Sequence, residues 1–133
     1  MNEKITVVPL ESVGKIKFGM TRNALRQTMG ADFTEFRKSQ FSANTSDDYG
    51  YLHVFYNEND ECVAVELFPE CEISIGGMTV PYSANAFNKW LLQQDSEAEV
   101  SDCEAISVKF SIGMSAMDNQ VESVLFGMPG YYK

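Results

Sequence analysis

The stretch that most restricts the fold is Val13 to Gly30, VGKIKFGMTRNALRQTMG. Lys15-Ile16-Lys17-Phe18 alternates charged and apolar side chains, which predicts a short strand. Gly19 breaks that pattern. Thr21 is a good N-cap, because its hydroxyl accepts from a free N–H of the first helical turn. Met20 before the cap and Leu25 after it are spaced as a hydrophobic staple. Leu25 and Met29 share one helix face, and Gly30 tolerates the positive φ that ends a helix. The spacing predicts a strand–cap–helix unit with its helix over Arg22–Met29. Nothing in the unit is catalytic.

Most of the remaining chain reads as extended. Lys4–Val8 is short and β-branched, an expected edge strand ended by Pro9. Phe33–Phe36 is a brief strand. Residues 37–48 are polar and read as a long loop, with Phe41 as its anchor into the core. Tyr51–Tyr56 and Glu61–Phe68 form the clearest hairpin, joined by Asn57-Glu58-Asn59-Asp60. A four-residue loop sets Tyr56 opposite Glu61. Leu52 and Val54 then share a core face with Val65 and Val63, while Tyr51, His53 and Phe55 lie outside, opposite Glu66, Ala64 and Cys62. A second hairpin, Glu72–Ile75 with Met78–Val80, turns on Gly76-Gly77. Ser83 caps a helix that runs to about Gln94, with Tyr82 and Phe87 as a staple and Phe87, Trp90 and Leu91 inward. Residues 95–104 are an acidic connector. Ile106–Met117 and Gln120–Phe126 are a last antiparallel pair turned at Asp118-Asn119, before the tail GMPGYYK. One weak echo, Lys17-Phe18-Gly19-Met20-Thr21 against Ile112-Gly113-Met114-Ser115, reads as chance, since strand follows the second copy where helix follows the first.

A length of 133 residues suits a single domain over 1–133 with one core. At 44% hydrophobic and 22% charged the composition excludes a disordered chain. No apolar run is long enough to span a bilayer. The opening MNEKITVVPLES has an acid at Glu3 and no apolar h-region, so no signal peptide is read and a cytoplasmic location is expected. Charge is unevenly spread. Residues 1–38 hold seven Lys or Arg against four acids, a balance of +3, and residues 39–133 hold three against fifteen, a balance of −12. That field disfavours nucleic acid and anionic membranes and steers basic partners inward.

Catalytic sets are hard to assemble here. Cys62, Cys71 and Cys103 are odd in number and at unrelated spacings, so neither a disulfide framework nor a zinc ligand pair is read from them. His53 is the only histidine. The expected register sets it diagonal to Cys62, without an orienting group or an oxyanion hole. Asp47-Asp48, Asp60-Glu61 and Asp102 with Glu104 sit in loops or connectors. There is no D-x-D-x-D-G loop, P-loop, G-x-G-x-x-G, G-x-S-x-G or H-E-x-x-H. No metal, cofactor or catalytic residue is expected. What remains is a surface of acids and aromatics. Asp47, Asp48, Tyr49, Tyr51, His53, Phe55, Glu66, Tyr131 and Tyr132 form the expected partner-binding set, with charge raising the on-rate and aromatics anchoring.

Ile16-x-Phe18-Gly19-Met20-Thr21-Arg22-x-x-Leu25-x-x-x-x-Gly30 resembles the Gly-Met-Thr helix signature of small-protein-A-type outer-membrane assembly lipoproteins. Those belong to a class similar in fold to beta-lactamase inhibitory protein, with short helices followed by an antiparallel sheet. The resemblance covers residues 16–30 only. It implies an α+β fold built for binding. No lipobox is read, so it implies no membrane-assembly role. In size, charge and lack of catalytic residues, the whole chain is similar to small acidic cytoplasmic immunity proteins of bacterial toxin systems.

The fold expected is therefore α+β, a single antiparallel β-sheet of about five to seven strands with two helices packed on one face. The expected core is Ile16, Phe18, Leu25, Met29, Leu52, Val54, Val63, Val65, Leu67, Phe87, Trp90 and Leu91. The function expected is non-enzymatic: an inhibitor- or immunity-type protein that binds a basic protein, most concretely a toxin. The alternative is a structural or ligand-binding domain, as a homodimer through the Tyr51, His53 and Phe55 face. An enzymatic reading would rest on His53 or a carboxylate pair.

Overall fold

The computed structural model describes residues 3–132, so Lys133 of the tail lies outside the described residues. In chain order the first half holds β1 (Glu3–Val8), β2 (Ser12–Val13), β3 (Ile16–Lys17), α1 (Arg22–Met29), β4 (Thr34–Phe36), β5 (Ser46–Asp48), β6 (Leu52–Tyr56) and β7 (Cys62–Leu67). The second holds β8 (Cys71–Ile75), β9 (Met78–Thr79), α2 (Ala84–Gln94), β10 (Glu99–Val100), β11 (Glu104–Ser107), β12 (Ile112–Met117) and β13 (Gln120–Gly127). These strands form two sheets, five-stranded in the order β3-β2-β1-β8-β9 and eight-stranded in the order β10-β11-β12-β13-β7-β6-β5-β4.

The expectation of one antiparallel sheet carrying two helices on one face is thus wrong. The protein is mostly β, with two short helices among the described residues. Two physical facts hid the second sheet. Three of its five strands are two residues long and the other two, β1 and β8, pair across a long sequence gap, so periodicity cannot place them in one sheet. And Lys4–Val8 is not an edge strand: β1 is central, antiparallel to β2 and parallel to β8, with Ile5 opposite Ile73. Pro9 still ends it, since a residue without an N–H cannot continue a ladder.

The cap signals formed as read. Thr21 accepts from the Ala24 amide at 3.2 Å, Ser83 accepts from the Ala86 amide at 3.3 Å, and Gly30 closes α1 at φ 98°. The Gly76-Gly77 turn joins β8 to β9, both glycines at positive φ (60° and 84°) as a tight two-residue hairpin requires. The hairpin register differs. A bulge between Phe55 and Tyr56 sets His53 opposite Glu66, Val54 opposite Val65 and Leu52 opposite Leu67, with Tyr56 opposite Cys62. The extra residue is Val63 on β7, so Cys62 faces inward where strict alternation would turn it out. Cys62 therefore enters the core instead of lying near His53, and Val63 is only partly buried. Phe18 and Met29 pack on the margin of the core, and apart from Val63 the other expected core residues are buried. Phe41 does not anchor its loop: it is 85% exposed.

The two halves repeat one unit: a small hairpin, a helix and a four-strand meander. The repeat aligns Thr21-Arg22-Asn23-Ala24-Leu25 with Ser83-Ala84-Asn85-Ala86-Phe87. Its hydrogen bonds recur in kind. The Arg22 amide donates to Asp60 O at 2.8 Å, and the Ala84 amide to Asn119 O at 3.0 Å. The Cys62 amide donates to Met20 O at 2.8 Å, and the Val121 amide to Tyr82 O at 2.9 Å. Lone bridges Thr21–Glu61 and Ser83–Gln120 complete the match. Each helix is stitched at its start to the hairpin turn of its own meander. The meanders join edge to edge where β7 pairs β13, and β1 lies between the two small hairpins. The Ile112–Ser115 echo of the Gly-Met motif belongs to neither copy's helix. One hydrophobic core runs through both halves, from Ile5, Val13 and Leu25 to Phe87, Val124 and Phe126.

Candidate functional site

β5 separates the expected site residues by the alternation of a strand. Asp47 points inward and is 0% exposed. It is not a surface acid but the centre of a buried ion network. Arg26 donates to it through Nε at 2.9 Å and Nη2 at 2.6 Å, the Tyr56 hydroxyl donates at 2.8 Å, and Arg22 Nη1 reaches it at 3.5 Å. Arg22 is buried too, and donates to Asp60 Oδ1, Asn44 Oδ1 and Thr45 O. The guanidinium groups stack on aromatic faces, Arg22 on Tyr56 and Arg26 on Phe33, each at 4.1 Å. Such pairing is what makes two buried charges, Arg22 and Asp47, tolerable beside the partly buried Arg26. The hydrogen bonds to Asp47 hold the Arg26 guanidinium firmly in its charged form. Burial first, then Asp47, pushes the Tyr56 phenol well above its ordinary range. The network pins α1, β5 and the foot of the 37–45 loop together. Arg22 and Arg26, four apart on α1, were its only sequence signal.

Asp48, the next residue, points outward and opposes His53. His53 lies 3.4 Å from Asp48 through Nε2 and 3.9 Å from Glu66 through Nδ1. Aromatic rings surround it: Phe36 at 4.8 Å, Phe68 at 4.7 Å and Phe55 at 6.4 Å between centroids. Phe55 is itself buried, with the Lys38 ammonium 4.4 Å above its ring.

The tail continues this outer face. It leaves β13 and turns back: the Met128 amide donates to Val63 O at 2.9 Å, and the Ser111 hydroxyl donates to Met128 O at 2.9 Å. Tyr131 then lies against Gly127 and Tyr132 against Gly113, where a side chain of any kind would collide with the rings. Both glycines sit in strands, where glycine marks close approach by another group, and they were the missed clue to this fold-back. The two tyrosines meet edge to face at 5.2 Å. Beside Tyr132 a pocket of about 180 Å³ opens, lined by Glu66, Glu104, Ser115, Ser123 and Leu125. No Lys or Arg lines it among the described residues. Burial, then the Tyr131 phenol and the carboxylates of Glu66 and Glu104, pushes Tyr132 up to about 12. Burial and Glu66 also raise Tyr131.

The sheet thus brings together Asp48, His53, Phe55, Glu66, Tyr131 and Tyr132, and adds Glu104, Phe36, Phe68 and Lys38. It does not bring in Asp47, nor two of the tyrosines. Tyr49 packs against Phe33 at 5.7 Å, its hydroxyl buried without a hydrogen bond. Tyr51 lines a cleft beside β1 and α1. No protein-family model, curated protein or solved structure matches this chain.

The chemistry on offer is that of reception. Carboxylates, π faces and hydroxyls are the groups that receive an ammonium or guanidinium. Cys62 supplies no nucleophile to His53: it is in the core, and burial pushes its thiol up to about 12. Among the described residues no three His, Cys, Asp or Glu are grouped to hold a metal ion, and no helix is long and apolar enough to cross a membrane.

Proposed function

We propose that this protein is a non-enzymatic binding module of the inhibitor or immunity type, which captures a basic protein on the outer face of its eight-stranded sheet. The pocket beside Tyr132 carries the reading. Its volume of about 180 Å³ accepts one long cationic side chain, with Glu66 and Glu104 to pair the charge and the Tyr132 ring to cover its stem. Asp48 and the aromatic ring set around His53 extend the same surface. The −12 balance beyond residue 38 adds long-range attraction. A toxin encoded beside this protein is the most concrete partner.

The test is co-purification with the products of neighbouring genes, using wild type and E66K/E104K as bait. A basic protein held by wild type and lost from the double reversal supports the reading. No partner for either bait, or equal capture by both, refutes it. Sizing by light scattering covers the homodimer alternative. Phe55 has little surface to give a second copy, so a dimer unaffected by F55E would have to form elsewhere.

A further inference from the structure

The duplicated unit differs between its copies at one position that matters. Trp90 of α2 is buried against Phe87, ring centroids 5.4 Å apart. The corresponding residue of α1 is Thr28, as Leu25 corresponds to Phe87. A two-carbon side chain with a hydroxyl thus stands where the other half has an indole, and it is exposed and lines a cleft where Trp90 is buried. Between α1, β1 and the β2–β3 hairpin lies a half-open cleft of about 470 Å³, within the range of ligand pockets. Its floor is apolar: Ile5, Val13, Ile16 and Leu52, all buried. Its walls include Met29 and Tyr51.

The charge of the cleft is opposite to that of the molecule. Lys4 and Lys15 line it, and no carboxylate does among the described residues, in a chain of 19 acids and 10 Lys or Arg. Lys15 sits at the β2–β3 turn, where the other copy has Gly77. Among the described residues Lys4 has a loose, exposed partner, Glu72 at 3.8 Å, which a bound anion displaces at little cost.

We infer that this cleft binds a small aromatic carboxylate, its ring occupying the volume that Trp90 fills in the other half and its charge meeting Lys15 and Lys4. The apolar floor supplies the driving force, and the lysines choose the acid over its neutral analogue. The site is separate from the outer face of the large sheet, so it stands or falls independently of the proposed partner.

Indole-3-acetate is the probe, with indole as the uncharged control, followed by amide chemical-shift titration of the full chain. Saturable shifts are expected at 4–6, 13–16, 28–29 and 51–52. K15E, at an exposed turn, weakens binding about tenfold or more, as expected for reversing a charge near a half-solvated anion. T28W refills the cleft from within and abolishes the shifts while keeping the wild-type spectrum elsewhere. Absence of saturable shifts into the millimolar range, shifts centred outside those residues, equal binding of indole, or binding unchanged in both K15E and T28W overturns the inference.

Discussion

At the scale of single residues, the decisive contrast lies between Asp47 and Asp48. Adjacent acids of one sequence class have opposite fates because a strand sends neighbours to opposite faces. D47A leaves the buried Arg22 and the partly buried Arg26 around a vacant centre. Removing one member of such a network costs about 3–5 kcal/mol, to be read from urea or guanidinium unfolding. Y56F removes one hydrogen bond to that carboxylate and costs about 1.5–3 kcal/mol. F41A, by contrast, changes stability by within about 0.5 kcal/mol, because its ring is already in water; a core anchor would lose about 3–5. The exposed rim of the network sets its acid limit. The Thr45 hydroxyl, then Arg26, holds Glu35 below its ordinary carboxylate value, and Asn44, ahead of Arg22, does so for Asp60. A carboxylate depressed in the fold stabilises above its unfolded pKa, and that contribution disappears as pH falls through the folded value. The contribution of these two carboxylates is therefore complete at neutral pH and disappears as pH falls below about 4, and T45V reduces Glu35's share of it.

Among the elements, the tail and the caps show what a sequence can and cannot carry. Thr21, Ser83, Gly30 and the Gly76-Gly77 turn were legible because each acts within four residues of itself. The β6–β7 register was not, since the single extra residue, Val63 on β7, shifts the pairing without disturbing the apolar alternation of β6. The duplication escaped for a related reason. Its copies share cap positions and hydrogen-bond partners, while Arg22, Arg26 and Thr28 give way to Ala84, Asn88 and Trp90. Of the site, the acids and tyrosines were legible as a class, but their grouping depended on Gly113 and Gly127 admitting the tail. G127A brings a methyl group to 2.6 Å from Tyr131 Cβ, which a backbone-proximal atom cannot escape, and costs about 1–3 kcal/mol in unfolding experiments. G113A meets only the tip of the Tyr132 ring and expels it. Its phenol then titrates near 10 and not near 12 in an absorbance titration at alkaline pH. In wild type the raised value means that the tail's docking is intact below pH 10 and weakens as pH climbs toward 12.

For the whole molecule, the shared core predicts one cooperative transition. Trp90 fluorescence from α2 and tyrosine signals from the first half should follow the same unfolding curve, and separated midpoints would show that the halves unfold independently. Two pairings, β1 with β8 and β7 with β13, join strands distant in sequence, and closing them is the slow part of refolding. The central place of β1 carries a consequence for how the chain is made. Its parallel partner is Cys71–Ile75, and translation at about 5–20 residues per second separates the two by roughly 3–14 s. During that interval the first strand leaves the ribosome with one side filled by the β2–β3 hairpin and the other bare. The nascent chain thus passes through a stage in which a β-branched edge, later hidden in the middle of a sheet, is open to any neighbouring strand on the same polysome.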